Sequence, residues 1–310
     1  MENGQYFQEK FLYEKNSEDN MSRKILSGPS SCISGLVLKA KLNLGIGSLI
    51  LMKAQLDEVR DKLKLYVSPN WELINKYRNG SEDYKNFIRE FFKILFPPPY
   101  IITEDQDYHE RDYWLFTHFD NIPFIIPKWK IFTKIFCNPK MHIDIDEKFI
   151  VITTKVRLFK QSNYNKIKPI IQDVIKELSN KYKIVVMGEK VVEMNAEYLQ
   201  LQKKDQIFSI YNDIIECVPK NRIIDTTYDG LGITSPILSR LKEDCTIMKN
   251  AVRTICIGTG GNFILALSCG SPFILRQPNI KEPFTEITFK NDNDYVMSNI
   301  ERFIQVGKRL

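Results

Sequence analysis

The chain has 310 residues, with 44 Lys and Arg against 38 Asp and Glu, for a net charge of +6. Hydrophobic residues make up 43% and charged residues 26%, which excludes an intrinsically disordered chain because that apolar content can bury a core. Fourteen Gly and fourteen Pro exclude a collagen-like polymer.

Basic residues alternate with acidic ones instead of forming blocks, which argues against a dedicated nucleic-acid binder. A mild positive balance suits a protein that handles phosphates. The cysteines, Cys32, Cys137, Cys217, Cys245, Cys256 and Cys269, form no Cys-x-x-Cys pair, so a zinc knuckle is not expected. Most lie in apolar runs and read as buried thiols of a reducing compartment. The first 20 residues are polar, unlike a signal peptide. No apolar run approaches the ~20 residues of a membrane span. A soluble cytoplasmic protein is expected.

In chain order, residues 1–24 are polar and read as a loose arm. A strand is predicted near Ser34–Lys41, followed by Gly45-Ile46-Gly47-Ser48, a helix to about Leu63, and a strand at Lys64–Val67. Strand, glycine turn, helix and strand make one βαβ unit, which requires a parallel sheet. Residues 70–95 carry Phe87, Ile88, Phe91, Phe92 and Leu95 at helical spacing, and the run Pro97-Pro98-Pro99 stops that helix. Tyr113–Phe119 reads as a buried strand. Around it stand Glu104, Asp105, Asp107, His109, His118 and Asp120. His118 and Asp120 follow the apolar Tyr113–Phe116 run and are the candidates for a general base, since a His titrates near neutrality. His142, Asp144 and Asp146 have the residue types of a metal set, but their linker position favours a solvated strand.

The second half alternates strand and helix. Strands are predicted at Phe149–Thr153, Lys183–Met187, Arg222–Asp225, Thr254–Ile257 and Pro272–Leu275. Helices are predicted at Asn165–Asn180, near 193–202, at Ser235–Glu243, at Phe263–Ser268 and over 292–310. This is the pattern of a doubly wound α/β domain, in which ligands bind outside the carboxyl ends of the strands. The residues at those ends are the candidate site. Thr153, Thr154, Lys155 and Arg157 offer two hydroxyls and two cations to a diphosphate. Glu189 after Gly188 offers a carboxylate to ribose hydroxyls. Thr259, Gly260, Gly261 and Asn262 form a glycine turn opening a helix, where free N–H groups attract phosphate.

In order, these motifs resemble the heptosyltransferase-like enzymes of glycosyltransferase family 9, over roughly residues 34–68 and 149–280. The resemblance implies a GT-B-like fold: α/β, with two Rossmann-like domains facing a cleft. The implied division is 1–24 arm, 25–145 acceptor-side domain, 146–290 nucleotide-sugar-binding domain and 291–310 C-terminal helix. It also implies transfer of a sugar from a nucleotide-sugar donor to an acceptor hydroxyl of a glycan or glycoconjugate, with inversion, without metal and without a cofactor, the nucleotide sugar being a co-substrate. The acceptor can lie at a membrane surface. Gly45, Gly47 and Ser48 correspond to the family's first loop; Thr153, Thr154 and Lys155 to its donor strand end; Glu189 to its ribose carboxylate. Three positions depart: Ser48 replaces the acidic residue of the first loop, Thr259 the signature Asp, and Ile264 the signature His. A fucosyltransferase-like enzyme, with Arg157 on the donor phosphate, and a non-catalytic nucleotide- or carbohydrate-binding protein are the alternatives.

Overall fold

The computed structural model describes residues 36–42, 63–69, 82–104, 145–157, 159–192, 207–228, 237–258, 265–266, 268–270, 272–275, 295–297 and 300–310, together with Leu49, Lys53, Leu56, Asp57 and Trp71. The chain divides into two compact units, Met1–Lys128 and Trp129–Leu310. The 1–24 arm, the expected strand at 113–119 and the expected helix near 193–202 lie outside the described residues.

In the first unit, β1 (Leu36–Leu42) pairs in parallel with β2 (Leu63–Pro69), Leu36 opposite Leu63. The parallel pairing follows from the intervening residues, which leave room for a crossover. A third parallel strand, β3 (Ile101–Ile102), joins β2 with Tyr66 opposite Ile101. Helix α1 (Glu82–Leu95) buries Tyr84, Phe87, Ile88, Phe91, Phe92 and Leu95, spaced three or four apart along one face. Phe96 and Tyr100 extend that aromatic stack beyond the helix end, in contact edge to face at 5.3 Å. Glu104 lies apart from it on the surface, bonded to Arg89 at 2.7 Å.

The second unit is built on a six-stranded sheet. Its strands are β4 (Phe149–Thr153), β6 (Lys183–Met187), β8 (Ile223–Asp225), β9 (Arg253–Ile257), β10 (Pro272–Leu275) and β11 (Tyr295–Met297). They lie in the order β11-β10-β9-β4-β6-β8, and every pair is parallel. The chain starts at the centre, builds outward through β6 and β8, then returns to β9 beside β4 and builds outward the other way. That is the doubly wound order of dinucleotide-binding sheets. A small antiparallel ribbon, β5 (Lys155–Arg157) with β7 (Ile207–Ser209), continues from the carboxyl end of β4.

Helices α2 (Gln161–Lys181), α3 (Tyr211–Cys217), α4 (Ile237–Asn250) and α5 (Ile300–Arg309) connect or follow the strands. One core joins Ile150, Ile152, Ile184, Val186, Ile255 and Phe273 of the sheet to Ile171 and Val174 of α2, Ile214 of α3 and Phe303 of α5. The alternate strand residues Val151, Val185, Cys256 and Ile274 are buried too, as are Leu241, Cys245 and Met248 of α4. A parallel sheet covered on both faces reads in sequence as continuous apolar runs, and these do. Among the described residues no helix is long and apolar enough to cross a membrane.

Residues 292–310, expected as one helix, are divided. Among the described residues of this stretch, Tyr295–Met297 is a strand and Ile300–Arg309 a helix. Val296 stands four residues before Ile300 and seven before Phe303, a helical spacing in sequence, but in the fold it pairs with Ile274 on the edge of the sheet. Pairing with an open strand edge outweighs a weak local preference. The helix packs on α2 and β10 of its own unit, through the stacked pair Phe303 and Phe273.

Candidate functional site

The carboxyl ends of β4, β6 and β9 lie side by side, since the strands are parallel and adjacent. The sheet's strand order reverses between β4 and β9. Successive crossovers leave to opposite faces there, which opens a crevice outside the strand ends. Three sequence-predicted groups meet at this edge: Lys155 and Arg157 after β4, Glu189 after β6, and the start of the glycine turn after β9.

Glu189 is the most constrained of them. Gly188, with φ 113°, makes the turn off β6 that a side chain would strain. The Glu189 carbonyl accepts bonds from Thr154 Oγ1 at 2.7 Å and Ser209 Oγ at 2.9 Å. Its backbone bridges in parallel to Tyr228 beyond β8, where the Tyr228 N–H donates to Gly188 O at 3.0 Å. Three elements therefore fix one residue. Its carboxylate, 5% exposed, accepts from Lys155 Nζ at 2.8 Å through Oε1. Oε2 is buried and has no hydrogen-bond partner among the described residues.

The two threonines turn inward. Thr154 Oγ1 also reaches Met187 O at 3.2 Å, and Thr153 Oγ1 reaches Ile255 O at 3.4 Å. Both side chains are buried. Their hydroxyl protons are committed to sheet carbonyls, so in this conformation they build the site's floor. The cations are placed differently. Along β5 the side chains alternate, so Val156 enters the core while Lys155 and Arg157 share the other, partly exposed face. Arg157 bridges in parallel to Gly258, the residue after β9. Gly258 has φ 79°, and a Cβ there would drive into the Arg157 carbonyl. Thr259, Gly260, Gly261 and Asn262 lie outside the described residues, as do His118, Asp120, Gly45, Gly47 and Ser48.

Tyr228 and α4 were not among the sequence candidates. The Arg240 guanidinium lies 5.5 Å over the Tyr228 ring, donates to Thr226 O, and pairs with Asp244 at 3.1 Å. Burial, then the charges of Glu189 and Asp244, hold the Tyr228 hydroxyl above its usual range. The only sequence signal was a Tyr soon after a strand end, which is too common to single out. Asp225, on the outer side, is held by Thr227, by Tyr211 Oη at 2.8 Å, and by Lys190 at 3.7 Å. Burial pushes its carboxyl up, but those bonds more than offset it and leave it below the usual range.

Asp244 gives a pH signature. Burial pushes its carboxyl up to about 7 against the pull of Arg240. An unfolded Asp releases its proton near pH ~4, so between that value and about 7 the folded state holds more protons. Asp244 therefore contributes stability below pH ~4 that is lost as pH rises toward neutrality. Asp244→Asn is expected to remove that fall, on the order of 3–4 kcal/mol. Urea melts of both proteins across this range measure it, and parallel pH curves would contradict it.

Cys245, Cys256 and Cys269 are buried thiols outside any disulfide, and Cys217 is half-buried. Burial pushes Cys256 up to about 12 and Cys217 to about 11, which leaves both thiols protonated at neutral pH. Among the described residues no group of three His, Cys, Asp or Glu is placed to hold a metal; His142 and Asp144 lie outside them, and Asp146 is exposed.

No protein-family model and no curated protein matches the sequence. Solved structures do resemble it. The glycosyl transferase family 9 protein of Veillonella parvula matches with TM-score 0.46 and 10% identity, over 89% of each chain. The iron-containing heptosyltransferase TibC, from enterotoxigenic E. coli and solved with ADP-D-beta-D-heptose, matches with TM-score 0.42 and 11% identity. That match covers 78% of this chain, which spans 58% of TibC. The E. coli heptosyltransferase WaaC, solved with ADP-2-deoxy-2-fluoro heptose, matches with TM-score 0.39 and 9% identity, over 84% of this chain and 92% of WaaC. By its own topology the chain is a two-unit α/β protein whose second unit carries a doubly wound parallel sheet.

Proposed function

We propose that the carboxyl edge of the six-stranded sheet binds the nucleoside diphosphate of a nucleotide-sugar donor, and that the protein is a glycosyltransferase. One observation carries this reading: the switch point of a doubly wound sheet brings Lys155, Arg157, Gly258 and a buried carboxylate with a vacant oxygen to one edge. In the proposal Glu189 accepts ribose hydroxyls, Arg157 and the 259–262 turn face the phosphates, and His118 or Asp120 takes the proton of an acceptor hydroxyl. The chemistry proposed is inverting and needs no metal, with cations and backbone N–H groups offsetting the charge of the leaving diphosphate.

A second reading, a nucleotide-binding protein without turnover, is favoured by Ser48, Thr259 and Ile264 standing where the resembled family has acidic, Asp and His residues. Thermal melts and calorimetry with ADP, UDP and GDP test the binding. At 100 times its Kd, a ligand is expected to add about 2.7 kcal/mol of stability. Glu189→Gln is expected to weaken that binding about 10-fold or more, the usual cost of a charged hydrogen bond. Release of the diphosphate from the matching nucleotide sugar over time then separates an enzyme from a binder. A protein that binds none of the three nucleotides would refute the proposal.

A further inference from the structure

Lys155 suits a phosphate ligand by position, yet the fold gives it other work. Its Nζ donates to Glu189 Oε1 at 2.8 Å, with the lysine side chain 31% exposed and the carboxylate 5%. The lysine thus lies across the solvent side of a buried carboxylate. A carboxylate that served only the fold would have both oxygens satisfied, because a buried charged oxygen without a partner is costly. Here one oxygen is satisfied and Oε2 is not. The backbone holds that arrangement, since Thr154 and Ser209 both donate to the Glu189 carbonyl and Gly188 sets its exit from β6. With Oε1 taken, Oε2 keeps its lone pairs for hydroxyl donors.

We infer that Lys155 is a positioning residue: it fixes the Glu189 carboxylate so that Oε2 accepts from the sugar hydroxyls of the nucleotide, and so sets a preference for ribonucleotides over their dideoxy counterparts. The inference rests on the nucleotide reading above. It assigns Lys155 to act through Glu189, not on the phosphates. The two roles differ in what the removal of Lys155 weakens. A phosphate ligand contributes to every diphosphate alike. A positioning residue contributes only where the ligand has hydroxyls to offer.

The test uses the full chain and whichever of ADP, UDP and GDP it binds best. Calorimetry compares that nucleotide, its 2′,3′-dideoxy counterpart and inorganic pyrophosphate. The wild type is expected to prefer the ribonucleotide by ~10-fold or more. Lys155→Met is expected to abolish most of that preference while leaving pyrophosphate affinity unchanged. Lys155→Arg restores part of it, because a guanidinium can still reach the carboxylate but with different geometry. Removing the lysine also strands a buried charge, so Glu189→Gln and the double variant Lys155→Met/Glu189→Gln keep the test sound should the single variant not fold. Lys155 acting through Glu189 predicts that the double variant binds no more weakly than Glu189→Gln alone. An equal loss for all three ligands in Lys155→Met, or a further loss in the double variant, would overturn the inference and leave Lys155 on the phosphates. A wild type that binds nucleotides without preferring the ribose form overturns the inference alone. A wild type that binds none overturns the nucleotide reading with it.

Discussion

Phe303→Ala is expected to lower the stability of the second unit by about 3–5 kcal/mol, the range for deleting a fully buried aromatic ring. Helix α5 has only ten residues, Ile300–Arg309, too short to persist in water unaided, so packing must hold it. Phe303 is the fully buried ring in that packing, beside the partly buried Ile300, Ile304 and Val306. It is 0% exposed and stacks on Phe273 of β10 with ring centroids 4.3 Å apart and an interplanar angle of 7°. The rest of the helix fits closely around this anchor. Gly307 approaches Val174 of α2 so closely that a Cβ would stand 2.6 Å from Val174 Cγ1. At the end of the chain, the Leu310 carbonyl accepts from the Tyr182 hydroxyl at 2.6 Å. With the ring gone, the space between α5, α2 and β10 cannot close without moving the close contact at Gly307. Urea denaturation measures the effect as a lower midpoint at nearly unchanged slope. A loss under ~1 kcal/mol would mean that α5 is not anchored by this ring.

Gly258→Val is expected to cost roughly 2–3 kcal/mol of stability and to weaken the proposed nucleotide binding at the same time. Two effects add at this position. The φ of 79° is a conformation that β-branched residues rarely adopt. The Arg157 carbonyl also stands where a Cβ would go. Relief requires the β5 segment to move away from the end of β9, and β5 carries Lys155 and Arg157. Gly258→Ala meets the same carbonyl with a smaller side chain and is expected to lie between the wild type and Gly258→Val. Melting curves and titration with the bound nucleotide check both variants. Full nucleotide affinity in a destabilised Gly258→Val would show that this turn serves only the fold.

The buried strands were the most legible part of the chain. Phe149–Thr153, Lys183–Met187 and Pro272–Leu275 occur in the fold with the bounds that their apolar runs suggest. A strand covered on both faces has nearly every position selected for apolar character, and its ends are marked by the return of polar residues. Long helices were legible in kind but not in extent. Helix α2 begins at Gln161 instead of Asn165, and α4 runs to Asn250 instead of Glu243, since helix ends depend on tertiary partners more than on periodicity. Short elements carry little local signal. The β5–β7 ribbon has three residues a side, and Lys155-Val156-Arg157 reads locally as a polar strand end.

For the candidate site, the sequence determined which residue types follow which strands, because alternating strands and helices require a parallel sheet and a parallel sheet gathers all its carboxyl ends at one edge. That rule puts Lys155, Arg157 and Glu189 at one edge. Only the tertiary structure decided how they are used. The strand order, with β9 beside β4, is a choice among topologies that no local pattern encodes. The inward turn of Thr153 and Thr154 depends on carbonyls of neighbouring strands. The pairing of Lys155 with Glu189, 34 residues apart, is a contact between side chains that sequence spacing cannot specify. It arises because β4 and β6 lie next to each other and the turn at Gly188 aims the carboxylate across that gap.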